Sequence, residues 1–236
     1  MHYICIIVAG GRTMDYVAII GDIKQSKKIE NRIEVQKKLD KVLKNINVMY
    51  QEDIAARFLI TLGDEFQGLL KWKDNVFDII KYIQRNMYPV ELRFGIGIGE
   101  ISTDIFYEAA IGADGPAYYA ARQSIQELHE KEKKFKKHTA DIQMGLYNKT
   151  SFDIEEINMM LSLIKTIEDS WTEKQRYTIW DMIEYGGSQT ECAKRMKTSQ
   201  STVARRLAEG NYLIYKQSGD VMRKAIKRIG EEVDGN

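Results

Sequence analysis

The segment Leu62-Gly63-Asp64-Glu65-Phe66, set between two apolar runs, constrains this chain more than any other part of it. Residues 56–61 and 66–71 read as strands, and a Gly-Asp pair between strands is hairpin-turn chemistry. A hairpin commits its neighbourhood to an antiparallel sheet that must bury at least one face. Upstream, Val17-Ala18-Ile19-Ile20-Gly21-Asp22 reads as a short buried strand ending in a carboxylate. Carboxylates therefore stand at the ends of two strands that a single sheet can make neighbours.

The elements around these strands follow from periodicity. Residues 30–49 carry Ile33, Leu39, Val42, Leu43 and Ile46 on one helical face with lysines opposite. Residues 74–86 repeat the pattern with Val76, Phe77, Ile79, Ile80 and Ile83. Pro89 ends that helix, and residues 91–99 alternate as a strand. A third helix falls within residues 113–134, running into the basic stretch Lys131 to Lys137, and residues 141–147 form a last strand. Strand, helix, hairpin, helix, strand is a ferredoxin-like α+β order, with the helices expected on one face of the sheet.

From residue 153 onward only helical patterns occur, over residues 155–170, 172–185, 188–196, 199–209 and 212–229. Gly186-Gly187 and Lys197-Thr198 punctuate them. The expected organisation is an α+β domain over residues 15–150 and an all-α domain over residues 153–236. The polar stretch Asn148 to Ser151 joins them with no long linker, so the two parts should pack together. Residues 1–14 are either an extra edge strand or a misplaced start, with Met14 as the true first residue.

Composition removes several function classes. Ile4 to Ala9 is too short to cross a bilayer, which takes about 20 residues, and it lacks the basic flank of a signal peptide. Cys5 and Cys192 stand far apart with no CxxC partner, which argues against a disulfide framework or zinc site and fits a reducing cytoplasm. His2, His129 and His138 have no ligand spacing, so any metal must be held by carboxylates. A formal net charge of +1 means that any nucleic-acid surface is local.

Two carboxylates at adjacent strand ends suit the chemistry of nucleotidyl transfer. Mg²⁺ (or Mn²⁺) keeps several waters and needs only one or two protein carboxylates while it neutralises a triphosphate. Asp22 and Asp64 are the candidate metal ligands, with Glu65 either a third ligand or a turn carboxylate. Gly63 lets backbone approach phosphate, and Lys24, Gln25 and Ser26 are placed to cradle phosphate oxygens. The Gly95, Gly97, Gly99 run lies within a strand, where close backbone packing accounts for it without any dinucleotide.

Over residues 15–147 the chain resembles the class III nucleotidyl cyclase and GGDEF superfamily. The resemblance rests on Asp22, the Gly63-Asp64 hairpin, Arg93-Phe94-Gly95-Ile96-Gly97 and the segment Gly115 to Arg122. It implies metal binding by Asp22 and Asp64 and a catalytic role for Arg122 on the transferring phosphate. Leu62 replaces a glycine that makes room for guanine in diguanylate cyclases, which speaks against cyclic diguanylate synthesis. Tyr118 replaces a ribose-orienting asparagine, which speaks against cyclase turnover. Nearly the whole chain resembles the bacterial SatD family, through Gly21-Asp22-Ile23-Lys24-Gln25-Ser26, Gly63-Asp64-Glu65-Phe66-Gln67 and Asp114-Gly115-Pro116-Ala117.

Residues 171–209 resemble a sigma-factor-type helix-turn-helix. Ala193 is small enough for a close helix crossing, Val203 and Leu207 anchor the second helix, and Ser199 caps it. Ser199, Gln200, Ser201, Arg205 and Arg206 are the candidate DNA contacts. Residues 171–236 hold 12 Lys and Arg against 9 Asp and Glu, a weak basic bias. Two functions follow as expectations. One is a cytoplasmic DNA-binding regulator, a homodimer on double-stranded DNA, sensing a nucleoside triphosphate or cyclic nucleotide. The other is a metal-dependent nucleotidyl cyclase or related nucleotidyltransferase whose helices serve assembly.

Overall fold

The computed structural model describes residues 16–72, 75–108, 110, 112–135, 140–148 and 151–234. The reading of residues 1–14 as an extra strand or a misplaced start lies outside them. Five strands form one sheet: β1 (Tyr16–Ile23), β2 (Ile54–Leu62), β3 (Glu65–Lys71), β4 (Leu92–Gly99) and β5 (Ile142–Leu146), in spatial order β2-β3-β1-β4-β5. The first four pair antiparallel, and β5 joins β4 in parallel. With α1 (Arg32–Met49) after β1 and α2 (Val76–Met87) after β3, this is the expected βαββαβ order. The crossover helix α3 (Pro116–Phe135) then leads to β5.

The helices do not all lie on one face, contrary to the expectation. Side chains alternate along a strand, so Val17 and Ile19 point one way and Ala18 and Ile20 the other. The first pair packs with Leu39, Leu43 and Ile46 of α1 and Ile79, Ile80 and Ile83 of α2. The second packs with Ala117, Tyr118, Ala121 and Ile125 of α3. The β4 glycines decide this. A Cβ at Gly97 would stand 1.9 Å from the carbonyl oxygen of Ala117, and one at Gly95 would stand 2.2 Å from that of Ala121. Glycine at both positions lets the α3 backbone rest directly on the strand, the close packing read from the sequence.

Both outer strands are closed by asparagines reaching from helices. Asn47 of α1 donates to the Phe58 carbonyl at 2.9 Å and accepts from the Phe58 N–H at 2.8 Å. At the other edge Asn158, in α4 (Phe152–Ser170), makes the same pair of bonds with Met144, both at 2.8 Å. Each amide imitates a passing strand and removes a template for unwanted pairing.

The helical part continues with α5 (Glu173–Tyr185), α6 (Gln189–Arg195), α7 (Gln200–Glu209) and α8 (Tyr212–Asp234). It packs on the sheet part, as expected. One continuous core runs from Ile19 and Phe94 through Ile157 and Leu161 to Ile179, Val203 and Ile226. Lys81 of α2 bonds Glu168 of α4 at 2.6 Å, and Tyr88 meets the edge of the Trp180 ring at 5.3 Å. Among the described residues no helix is long and apolar enough to cross a membrane.

Candidate functional site

Strand register brings the candidate carboxylates together. Asp22 sits directly between Glu65 on β3 and Arg93 on β4, so the three side chains form a row across the α3 face of the sheet. β1 runs one residue further than the sequence indicated, because the Ile23 N–H donates to the Asp64 carbonyl at 3.1 Å. That bond draws the hairpin tip against the end of β1.

Asp22 is engaged by Arg93 and His129. Arg93 Nη1 donates to both of its carboxylate oxygens, at 3.0 and 3.1 Å, and His129 Nε2 of α3 lies 3.1 Å from Oδ2. Arg93 also reaches Glu132 at 2.5 Å. Burial works against the Arg93 cation, yet Glu132 and Asp22 outweigh it and hold its pKa above the usual value. Glu132 shows the opposite balance: burial opposes its carboxylate, and bonds from Arg93 and Lys24 pull its pKa below the usual range.

Asp64 and Glu65 stand apart from this network. Among the described residues neither carboxylate has a hydrogen bond or ion pair. Burial, then the neighbouring Asp22 and Asp64 charges, raise the Glu65 pKa, because each anion disfavours a third beside it. A hard divalent cation would relieve that repulsion, and an all-oxygen donor set is what Mg²⁺ takes. Against this stands Arg93 on Asp22, and the described residues contain no ready-made cluster of three metal-ligating side chains.

The phosphate-cradle residues are placed unevenly. The Lys24 N–H donates to the Glu91 carbonyl at 2.9 Å, and its ammonium is held by Asp141 and by Glu132 at 2.8 Å. Its backbone N–H and two of its three ammonium N–H groups are thus engaged within the protein. Gln25 adopts a left-handed conformation (φ 52°) that starts the short 3-10 turn Ser26–Lys28. Ser26, Gly63 and Asp64 border a cavity of about 230 Å³ whose other walls include Arg32, Ile33 and Gln36. Gly63 has φ +61° and open space where a Cβ would be, and Gln36 donates to its carbonyl at 3.1 Å.

Arg122 projects from the first half of α3 and pairs with Asp114 at 3.2 Å, while Tyr119 donates to the same carboxylate at 2.9 Å. The Arg122 charge also acts on Glu65, so it belongs to the neighbourhood of the hairpin carboxylates. Tyr118 is fully buried beneath it, and its hydroxyl finds no hydrogen-bond partner among the described residues. Burial pushes that phenol far above its ordinary pKa. A bulky ring thus occupies the position where the resemblance places a small amide.

Sequence reading passed over the roles of Arg93, His129, Glu132, Arg32 and Gln36. Arg93 alone had a local signal, a cation opposite Asp22 in an otherwise apolar strand. The others arrive from helices whose docking no local pattern records.

At the helical end, α6 and α7 pack on each other and on α5. Ser188 and Glu191 form a capping box at α6, and Ser199 caps α7 by accepting from the Thr202 N–H. Ala193, Val203 and Leu207 are buried as the pattern required. Ser199, Gln200, Ser201 and Arg205 face solvent. Arg206 does not share that face: it turns inward and donates to the Thr178 hydroxyl at 3.3 Å. Lys194 and Lys197 are exposed and unpaired among the described residues beside the turn, two cations the sequence reading did not single out.

An α+β sheet part with clustered acidic and basic side chains, fused through one core to a helical part, is the class that fold and site define. The chain belongs to the SatD family, whose model matches residues 16–226. No curated protein sequence matches it significantly. Among solved structures it is similar to a bacterial light-regulated adenylyl cyclase (10% identity, TM-score 0.40, covering 57% of this chain and 77% of that one). It is also similar to the guanylyl cyclase Cya2 (12%, 0.34, 50% and 72%). A third similarity is to a regulator of polyketide synthase expression from Bifidobacterium adolescentis (12%, 0.28, 96% and 84%).

Proposed function

We propose that this SatD-family protein is a DNA-binding regulator whose α+β part holds a nucleotide, with Mg²⁺ or Mn²⁺, near the Gly63-Asp64 hairpin. One observation carries the reading: α7 buries Val203 and Leu207 and presents Ser199, Gln200, Ser201 and Arg205 to solvent beside Lys194 and Lys197. An anchored helix with a polar, cationic outer face suits the major groove. A homodimer would match two half-sites. The cavity beside Ser26, Gly63 and Asp64 supports a nucleotide site, and Asp64, Glu65 and a released Asp22 would hold the cation.

The test is fluorescence anisotropy with labelled random-sequence duplexes over a salt series. Affinity should fall steeply with salt. Arg205→Ala and Lys197→Ala should each weaken binding and lower the salt slope by about one. Arg206→Ala should leave the slope unchanged. Binding unaltered by the first two changes would remove α7 from the interface.

The second reading, a metal-dependent nucleotidyl cyclase or nucleotidyltransferase, is favoured by the Asp64 and Glu65 carboxylates, which have no partner among the described residues and stand near Arg122. Asp64→Asn should then abolish Mg²⁺-dependent product formation from whichever of ATP, GTP, CTP and UTP is turned over. Unchanged product would exclude this site.

A further inference from the structure

A second cleft lies away from the Asp22 cluster, between α2, α5 and α8, with a volume of about 340 Å³. That is within the range of small-molecule sites, roughly 300–1,000 Å³. Four aromatic residues line it, Phe77, Trp180, Tyr212 and Tyr215, with Ile164 and Met222 among the aliphatic ones beside them.

Its cations are paired unevenly. Lys81 is neutralised by Glu168 at 2.6 Å, and Tyr215 donates to the same carboxylate at 2.7 Å. At the rim Arg223 pairs with Asp78 at 3.3 Å and with Asp220 at 2.6 Å. Arg85 is different. Its Nη1 is buried with no hydrogen-bond partner among the described residues, and the nearest carboxylate, Glu184, stands 4.0 Å away. Lys216 adds a second cation on the cleft wall, exposed and without a counter-ion among the described residues. A buried guanidinium N–H left unmade is costly, and an anion that reached it would recover that cost.

We propose that this cleft binds a small aromatic carboxylate, its ring against Phe77, Trp180 and Tyr212 and its carboxylate on Arg85, with Lys216 nearby. The site is separate from the hairpin site and independent of whether α7 meets DNA. Because α5 packs on α7 as well as walling the cleft, an occupant would sit one helix away from the exposed α7 face.

Isothermal titration calorimetry with 2-naphthoate tests this on the full chain, using 2-naphthamide as the uncharged isostere. The expected result is saturable 1:1 binding of naphthoate, with the amide weaker by about ten-fold or more, as loss of a charge-assisted bond implies. Arg85→Met keeps the apolar volume and should remove that preference. Gly219 lines the cleft inside α8, and a Cβ there meets nothing within 4 Å. Gly219→Phe should therefore fill the cleft and abolish binding with helicity unchanged. No saturable binding, equal binding of acid and amide, or undiminished binding by folded Gly219→Phe would each overturn the proposal. If that variant fails to fold, Arg85→Met decides: unchanged preference for the acid overturns it.

Discussion

Arg93 Nη1 lies 3.0 Å and 3.1 Å from the two carboxylate oxygens of Asp22, so the aspartate at the centre of the candidate site already has a cation. The pair begins a chain of charges that runs through Glu132, Lys24 and Asp141 to Lys165 on α4. One sheet end is thereby tied electrostatically to the helical part.

Removing the guanidinium should be costly, because it takes a shared partner from two largely buried carboxylates, Asp22 and Glu132. Arg93→Met is expected to lower the unfolding free energy by about 3 kcal/mol, the scale for breaking a buried pair. Urea denaturation reads this. Adding Glu132→Gln should recover part of the loss, and an unchanged midpoint in Arg93→Met would show that the network contributes little.

Glu65 has the opposite sign. Its pKa is raised in the folded state by burial and by Asp22 and Asp64, so ionising it costs stability. The cost sets in as pH rises through the ordinary carboxylate value, about 4.3, and is complete above the folded value. Glu65→Gln is therefore expected to stabilise the protein at pH 7, with the gain vanishing below about pH 4. Thermal unfolding across pH 3.5 to 8 checks both halves. If Mg²⁺ binds here, wild type but not Glu65→Gln should gain stability with added magnesium.

Gly97 offers a test of packing alone. A side chain there would meet the Ala117 carbonyl and the Ala121 nitrogen, which are backbone atoms unable to rotate aside. Gly97→Val should cost about 3 kcal/mol or more as α3 is pushed from the sheet. A folded protein of wild-type midpoint would mean that α3 does not sit this closely on β4.

Asn158 closes the β5 edge through two bonds to Met144. Asn158→Ala strips both backbone groups of their partner and should cost about 2 kcal/mol. It should also raise light scattering on warming, since an open edge recruits other strands. Asn47→Ala, at the β2 edge, should behave alike.

Most elements were legible in the sequence because their signals are local. Val76 to Ile83 declares a helix by spacing, the Gly63-Asp64 turn declares a hairpin, and Ser199 before Val203 and Leu207 declares a capped, anchored helix. The candidate site was legible only in its carboxylates. Their partners come from another strand and from α3, and nothing local in His129 or Glu132 announces that they will meet Asp22 or Arg93. Arg206 shows the same limit at one residue's scale: helical spacing put it near Arg205, and Thr178 on the neighbouring helix turned it inward.

By itself, then, the sequence determined the order and type of the elements, the close approach at Gly95 and Gly97, and the carboxylates available at the hairpin. Only the tertiary structure decided which face α3 covers, that Lys24 pairs with Asp141, and that Asp64 and Glu65 have no hydrogen bond or ion pair among the described residues. The reason is physical. Periodicity and turn chemistry act over a few residues, whereas an ion pair between positions 117 apart exists only once strand register and helix docking have brought them within a hydrogen bond's length.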